Sequence, residues 1–124
     1  MSSKPSLESE LQKIRHQELE RETERASKTL GIPYLNLLGV PVQQEALLLE
    51  SEESSRGGEF IIFQKKGRAL RAAPTNPQNG SLLKTLEELK GRGFAVSLYF
   101  VSLQSLERAL EEYKKILPTA HVIT

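Results

Sequence analysis

The side chains that could make or break bonds are two histidines, scattered serines and sixteen acidic residues, and their spacing does not assemble them. His16 lies in a charged helical stretch and His121 in the C-terminal tail. Neither has a second His or a carboxylate at metal-ligand spacing on a well-defined scaffold. The carboxylates fall on polar helix surfaces: Glu8 to Glu24, Glu50 to Glu53, Glu87, Glu88, Glu107, Glu111 and Glu112. General acid–base work needs burial or a close charge to move a carboxyl pKa, and such faces supply water instead. No Gly-x-Ser-x-Gly elbow surrounds a serine, and no Gly-rich loop ends in Lys-Ser/Thr to cradle a phosphate. The expectation is a chain with no catalytic residues, no cofactor and no metal, unable by itself to hydrolyse ATP.

Binding is better supplied with residues than catalysis. Arg56, Lys65, Lys66, Arg68 and Arg71 gather around a turn at Lys65-Lys66-Gly67-Arg68, a weak candidate for an anion patch. A nucleotide- or nucleic-acid-binding regulatory module built on this basic hairpin is the alternative function. Five charges without interleaved aromatics, in a chain whose 17 basic and 16 acidic residues leave a net charge of +1, argue against nucleic acid. An apolar stripe of Leu7, Leu11 and Ile14 on the leading helix is the first candidate for a protein interface, either with a partner or with a second copy.

The 124 residues suit one domain with one extra element. Cysteine is absent, which excludes disulfides and thiolate chemistry and fits a reducing compartment. The longest apolar run is about four residues, far below the ~20 that span a bilayer, and the N-terminus lacks the apolar core of a secretory signal. The expected location is the cytoplasm.

Residues 6 to 30 read as one helix with Ser6 as N-cap, Gly31 as the stop and Pro33 beyond it, roughly 37 Å long. Leu7, Leu11 and Ile14 form one stripe; Leu19, Thr23, Ala26 and Leu30 form a second, rotated from the first and expected to pack on the body. Glu18 to Arg25 between them reads as a solvated face, and the heptad pattern of a coiled coil fails after Ile14.

After the helix, Tyr34 to Leu37 reads as a short extended piece, Gln43 to Leu49 as a short helix, and Glu50 to Gly58 as a polar connection. Glu59 to Gln64 and Ala69 to Ala73 read as a β-hairpin, Leu82 to Leu89 as a helix, Phe94 to Val101 as the best strand, and Ser102 to Leu117 as a helix stopped by Pro118. The order strand, strand, helix, strand, helix implies an α+β fold with a small mixed three-stranded sheet, its second and third strands parallel and its helices on one face. The expected organisation is a charged N-terminal helix over residues 1–30, an α+β domain over 31–117, and a tail or linker over 118–124.

Several segments in sequence resemble the N-terminal domain of type II secretion and type IV pilus assembly ATPases of the GspE/PilB type. They are Leu30-Gly31-Ile32-Pro33-Tyr34-Leu35-Asn36-Leu37, Val40-Pro41 before Glu45-Ala46-Leu47, Ala72-Ala73-Pro74-Thr75-Asn76-Pro77, and Leu106-Glu107-Arg108-Ala109-Leu110-Glu111-Glu112-Tyr113. The resemblance covers about residues 26 to 117. It implies a non-catalytic docking and regulatory domain that links a motor to a partner of the machine. Two features depart from the family: an Ile-Pro-Glu-Glu turn is missing at Leu49-Glu50-Ser51-Glu52-Glu53, and no Arg-Leu-Gly start is present. Some relatives bind cyclic di-GMP through that start followed by a repeated Leu and Gln pattern. This chain lacks the start and its first helix is charged where the pattern is apolar, which argues against cyclic di-GMP as a ligand.

Overall fold

The computed structural model describes residues 3–116, with side chains from Ser9 onward. The side chain of Leu7, and Leu117, His121 and the tail over 118–124, lie outside the described residues. The chain opens with α1 (Ser3–Leu30) and a single 3₁₀ turn (Leu37–Gly39), then α2 (Gln44–Leu47) and α3 (Glu52–Gly58). There follow β1 (Phe60–Lys66), β2 (Ala69–Pro74), α4 (Gly80–Gly91), β3 (Ala95–Leu98) and α5 (Leu103–Leu110).

The sheet has the order β1-β2-β3. β1 and β2 are antiparallel from Phe60↔Pro74 to Lys66↔Ala69, with a bulge between Ile62 and Gln64. Gly67, at φ +61, makes the turn that joins them. β2 and β3 are parallel from Ala69↔Ala95 to Ala72↔Leu98, with α4 as the crossover. The extended piece at Tyr34 adds beside Phe100, where Leu35 donates its N–H to the Phe100 carbonyl at 3.0 Å.

The fold is α+β with a small mixed sheet behind a long first helix. Its helices occupy both faces of the sheet, where the sequence order led us to expect one. The reason is β1, apolar at four consecutive positions, Phe60-Ile61-Ile62-Phe63, and therefore demanding cover on either side. Ile61 and Phe63 pack with Ala73, Val101, Leu106, Leu110 and Tyr113 on the α5 side. Phe60 and Ile62 pack with Leu70, Ala72, Leu82 and Leu89 on the α4 side. Each such side chain withdrawn from water contributes about 1.5–3 kcal/mol.

Residues 52–58, read as a polar connection, form α3. Ser51 caps it by accepting from the Ser54 N–H at 3.0 Å, and Glu52 and Glu53 sit in its positive first turn. Gly58 ends it beneath the Phe60 ring, where a Cβ would meet ring carbons at 2.7 Å. Ser55 is fully buried and meets the hydroxyl of Tyr113 at 2.8 Å. Tyr113 in turn donates to the carbonyls of Leu47 (3.2 Å) and Glu50 (3.1 Å), tying the segment after α5 to the α2–α3 connection.

Candidate functional site

α1 meets the body through a polar stripe. His16 and Thr23 are half-buried, while Glu20 and Ser27 are only 8% and 4% exposed. The expected packing stripe does not hold: Leu19 and Leu30 stay 41% and 42% exposed, and Ala26 faces solvent. The cause is the surface that α1 meets. At the start of α5 and at Tyr34 the body offers hydroxyl donors, and a carboxylate satisfies them where a leucine would not.

Glu20 is the centre of this contact. One carboxylate oxygen accepts a short hydrogen bond from the Tyr34 hydroxyl. The other accepts from Ser102 at 2.5 Å and from Ser105 at 3.0 Å. Ser102 also caps α5, taking the Ser105 N–H at 3.2 Å, so the carboxylate stands at the positive end of that helix. His16 extends the cluster, with Nε2 at 3.8 Å from Glu20 and Nδ1 at 3.1 Å from the Gln104 side-chain oxygen. Burial, then the bond to Glu20 and the charge behind it, push the Tyr34 phenol well above the ordinary tyrosine value.

The sequence reading took the α1 carboxylates as solvated, and Glu20 corrects it. Six glutamates on α1 look alike, and only the i,i+4 spacing to His16 sets Glu20 apart. That spacing was the available signal. The partners on Tyr34, Ser102 and Ser105 become visible only in three dimensions.

A groove of about 620 Å³ opens beside the cluster, between the N-terminal half of α1 and α5. Lys13, Arg15 and Arg108 bring cations to its wall, Gln12, Gln17 and Gln104 bring amides, and His16 joins it to the Glu20 cluster. Leu38, 42% exposed, supplies an apolar surface at one side.

Leu11 and Ile14 are 47% and 52% exposed. Leu11 lies nine residues from Glu20, about 180° round the helix at 3.6 residues per turn. The five basic residues of the hairpin patch divide between α3, which carries Arg56, and the β1–β2 hairpin, which carries the other four. Arg56 lies on α3, before the start of β1, and pairs with Glu52 at 2.8 Å. Arg68 donates to the Arg92 carbonyl at 3.0 Å and lies over the Phe94 ring, with Arg92 also on that ring. Arg71 lies over Tyr99, while Lys65 and Lys66 end β1. Among the described residues no group of three His, Asp or Glu side chains could hold a metal ion, and no helix is long and apolar enough to cross a membrane.

Set against known proteins, residues 30–119 match the MshEN domain. A solved structure of MshE with cdg, cyclic di-GMP, shares the fold with a TM-score of 0.65 at 18% identity, over 73% of this chain. This chain spans 65% of that one. The N-terminal domain of XpsE in a crystal form shares it with a TM-score of 0.59 at 12% identity, over 83% of each chain. No curated protein matches. The expectation against cyclic di-GMP is overturned here, because the domain matched and the MshE structure holding that nucleotide both point the other way. Neither the missing Arg-Leu-Gly start nor the charged first helix keeps residues 30–119 from matching the domain.

Proposed function

The chain belongs to the MshEN-domain family, the N-terminal domains of type II secretion and type IV pilus assembly ATPases, and from that premise we propose a non-catalytic domain that docks such a motor onto a protein partner and answers to cyclic di-GMP. The observation that carries the docking half is an inversion on α1. A surface helix ordinarily buries its apolar stripe and shows water its polar one. This helix is seated by His16, Glu20, Thr23 and Ser27 and turns Leu11 and Ile14 outward. A partner that covered those two side chains and Leu7 would gain several kcal/mol from area alone, before the cost of association. The cyclic di-GMP half is supported by family membership and by the MshE structure.

Sedimentation tests the first half, with a second copy of the chain standing in for the partner. The unaltered chain is expected to self-associate as concentration rises, and a Leu7→Ser, Leu11→Ser, Ile14→Ser variant to remain monomeric. Identical sedimentation of the two would remove the stripe from the proposal. Calorimetric titration with cyclic di-GMP tests the second half, which a flat thermogram would end. The basic-hairpin alternative draws no support from a patch whose arginines already rest on Glu52, Phe94 and Tyr99.

A further inference from the structure

We propose that the groove between α1 and α5 binds a phosphate-bearing nucleotide, and that the occupant fastens α1 to the body. The proposal rests on the reading above for the class of anion alone; the place and the consequence come from the groove itself. Its wall carries Lys13 and Arg15 from one helix and Arg108 from the other, with no carboxylate among the described lining residues. None of the three cations is in an ion pair among the described residues. Like charges facing one another across a gap repel, and a phosphate placed between them turns that repulsion into charge-assisted hydrogen bonds. The glutamine amides offer donors and acceptors to the edge of a base, and Leu38 offers its face an apolar surface. The volume, about 620 Å³, suits a ligand of that size.

The consequence for α1 follows from shared residues. His16 and Gln104 line the groove and also bond each other beside Glu20, so the groove and the seat of the helix are one structure. Apart from Glu20 and Ser27, no described α1 side chain is buried. A helix so lightly held responds to a ligand that touches both sides of the gap. At a concentration 100 times its Kd, a ligand that binds only the seated state shifts the seated-to-released ratio about 100-fold.

The test is an amide-detected NMR titration of the full chain with cyclic di-GMP, GTP and inorganic pyrophosphate, repeated on Lys13→Glu and Arg108→Glu. Both side chains are exposed, so the variants should fold. Shifts are expected at Lys13, Arg15, Gln104 and Arg108, with affinity reduced at least about tenfold, or 1.4 kcal/mol, by either charge reversal. Amides from residue 13 to residue 27 should exchange more slowly with ligand bound. If cyclic di-GMP binds both variants as tightly as the parent, the groove is wrong and the ligand reading stands. If GTP binds at the groove and cyclic di-GMP does not, the groove stands and the ligand reading falls. Binding of pyrophosphate alone, or of none of the three, overturns the proposal. Binding at the groove with unchanged exchange along α1 overturns the fastening.

Discussion

The sheet and the leading helix are attached to the same domain by opposite means. Around β1 the cohesion is apolar and lies on both faces, through Phe60 and Ile62 on one side and Ile61 and Phe63 on the other. Such cohesion scales with area and has little directional demand. At α1 it passes through one carboxylate and the hydroxyls of Tyr34, Ser102 and Ser105. Hydrogen bonds of this kind depend on angle and distance and fail together when the central group is lost. The first arrangement spreads cohesion over many side chains; the second concentrates it in one group, whose loss should free α1 before the sheet yields.

Phe60→Ala should break the body. A fully buried phenylalanine replaced by alanine costs about 3–5 kcal/mol, and the ring here is pressed on Gly58 with no slack to fill the gap. Urea unfolding should show the midpoint falling for every probe at once. Glu20→Ala should break the attachment alone. Each charge-assisted bond is worth about 1.5–3 kcal/mol, and the loss should appear as faster hydrogen exchange along α1 while the midpoint of the sheet stays put. A global midpoint shifted as far as that of Phe60→Ala would merge the two regions into one cooperative unit.

The smallest effect sharpens the contrast through pH. Burial raises the phenol of Tyr113 in the body, against a hydrogen bond from Ser55 that lowers it. Burial raises that of Tyr34 at the attachment, with Glu20 adding to the rise. A raised phenol favours the protonated folded form, so the stabilisation is complete below about pH 10, the ordinary tyrosine value, and drains away above it. Ultraviolet titration of Tyr34→Phe and Tyr113→Phe variants separates the two phenols. Glu20→Ala should bring the Tyr34 transition down in pH and leave that of Tyr113 where it is.

Much of the body was legible because its signals are local. Alternation along Phe94 to Val101, the turn glycine at 67 and the cap at Ser102 each act within a few residues; the hairpin and α5 follow them, and β3 follows over the shorter span Ala95–Leu98. α3 was missed because Gly57 and Gly58 disfavour a helix, and what holds it is the Ser51 cap, the buried Ser55 and the Phe60 ring over Gly58. The seat of α1 was misread for a different reason. Hydropathy ranks Leu19 and Leu30 above Glu20 as contact residues, and that ranking assumes an apolar receiving surface. Here the receiving surface is three hydroxyls contributed by residues 34, 102 and 105, which stand 14, 82 and 85 residues from Glu20 in sequence. The basic groove stayed hidden likewise, since Lys13 and Arg108 become neighbours only after α1 is seated.

The left-handed Gly31 joins α1 to a segment pinned at Tyr34 and Phe100, so a rigid rotation of the helix would pivot at residue 31. Its 28 residues give an arm of about 42 Å, and Glu20 grips it roughly 16 Å from the pivot. Any displacement at the grip is therefore magnified about 2.6-fold at the free end, and a swing of about 10° carries that end through some ~7 Å. A small change at one carboxylate would thus correspond to a several-fold larger travel at the far end of the helix.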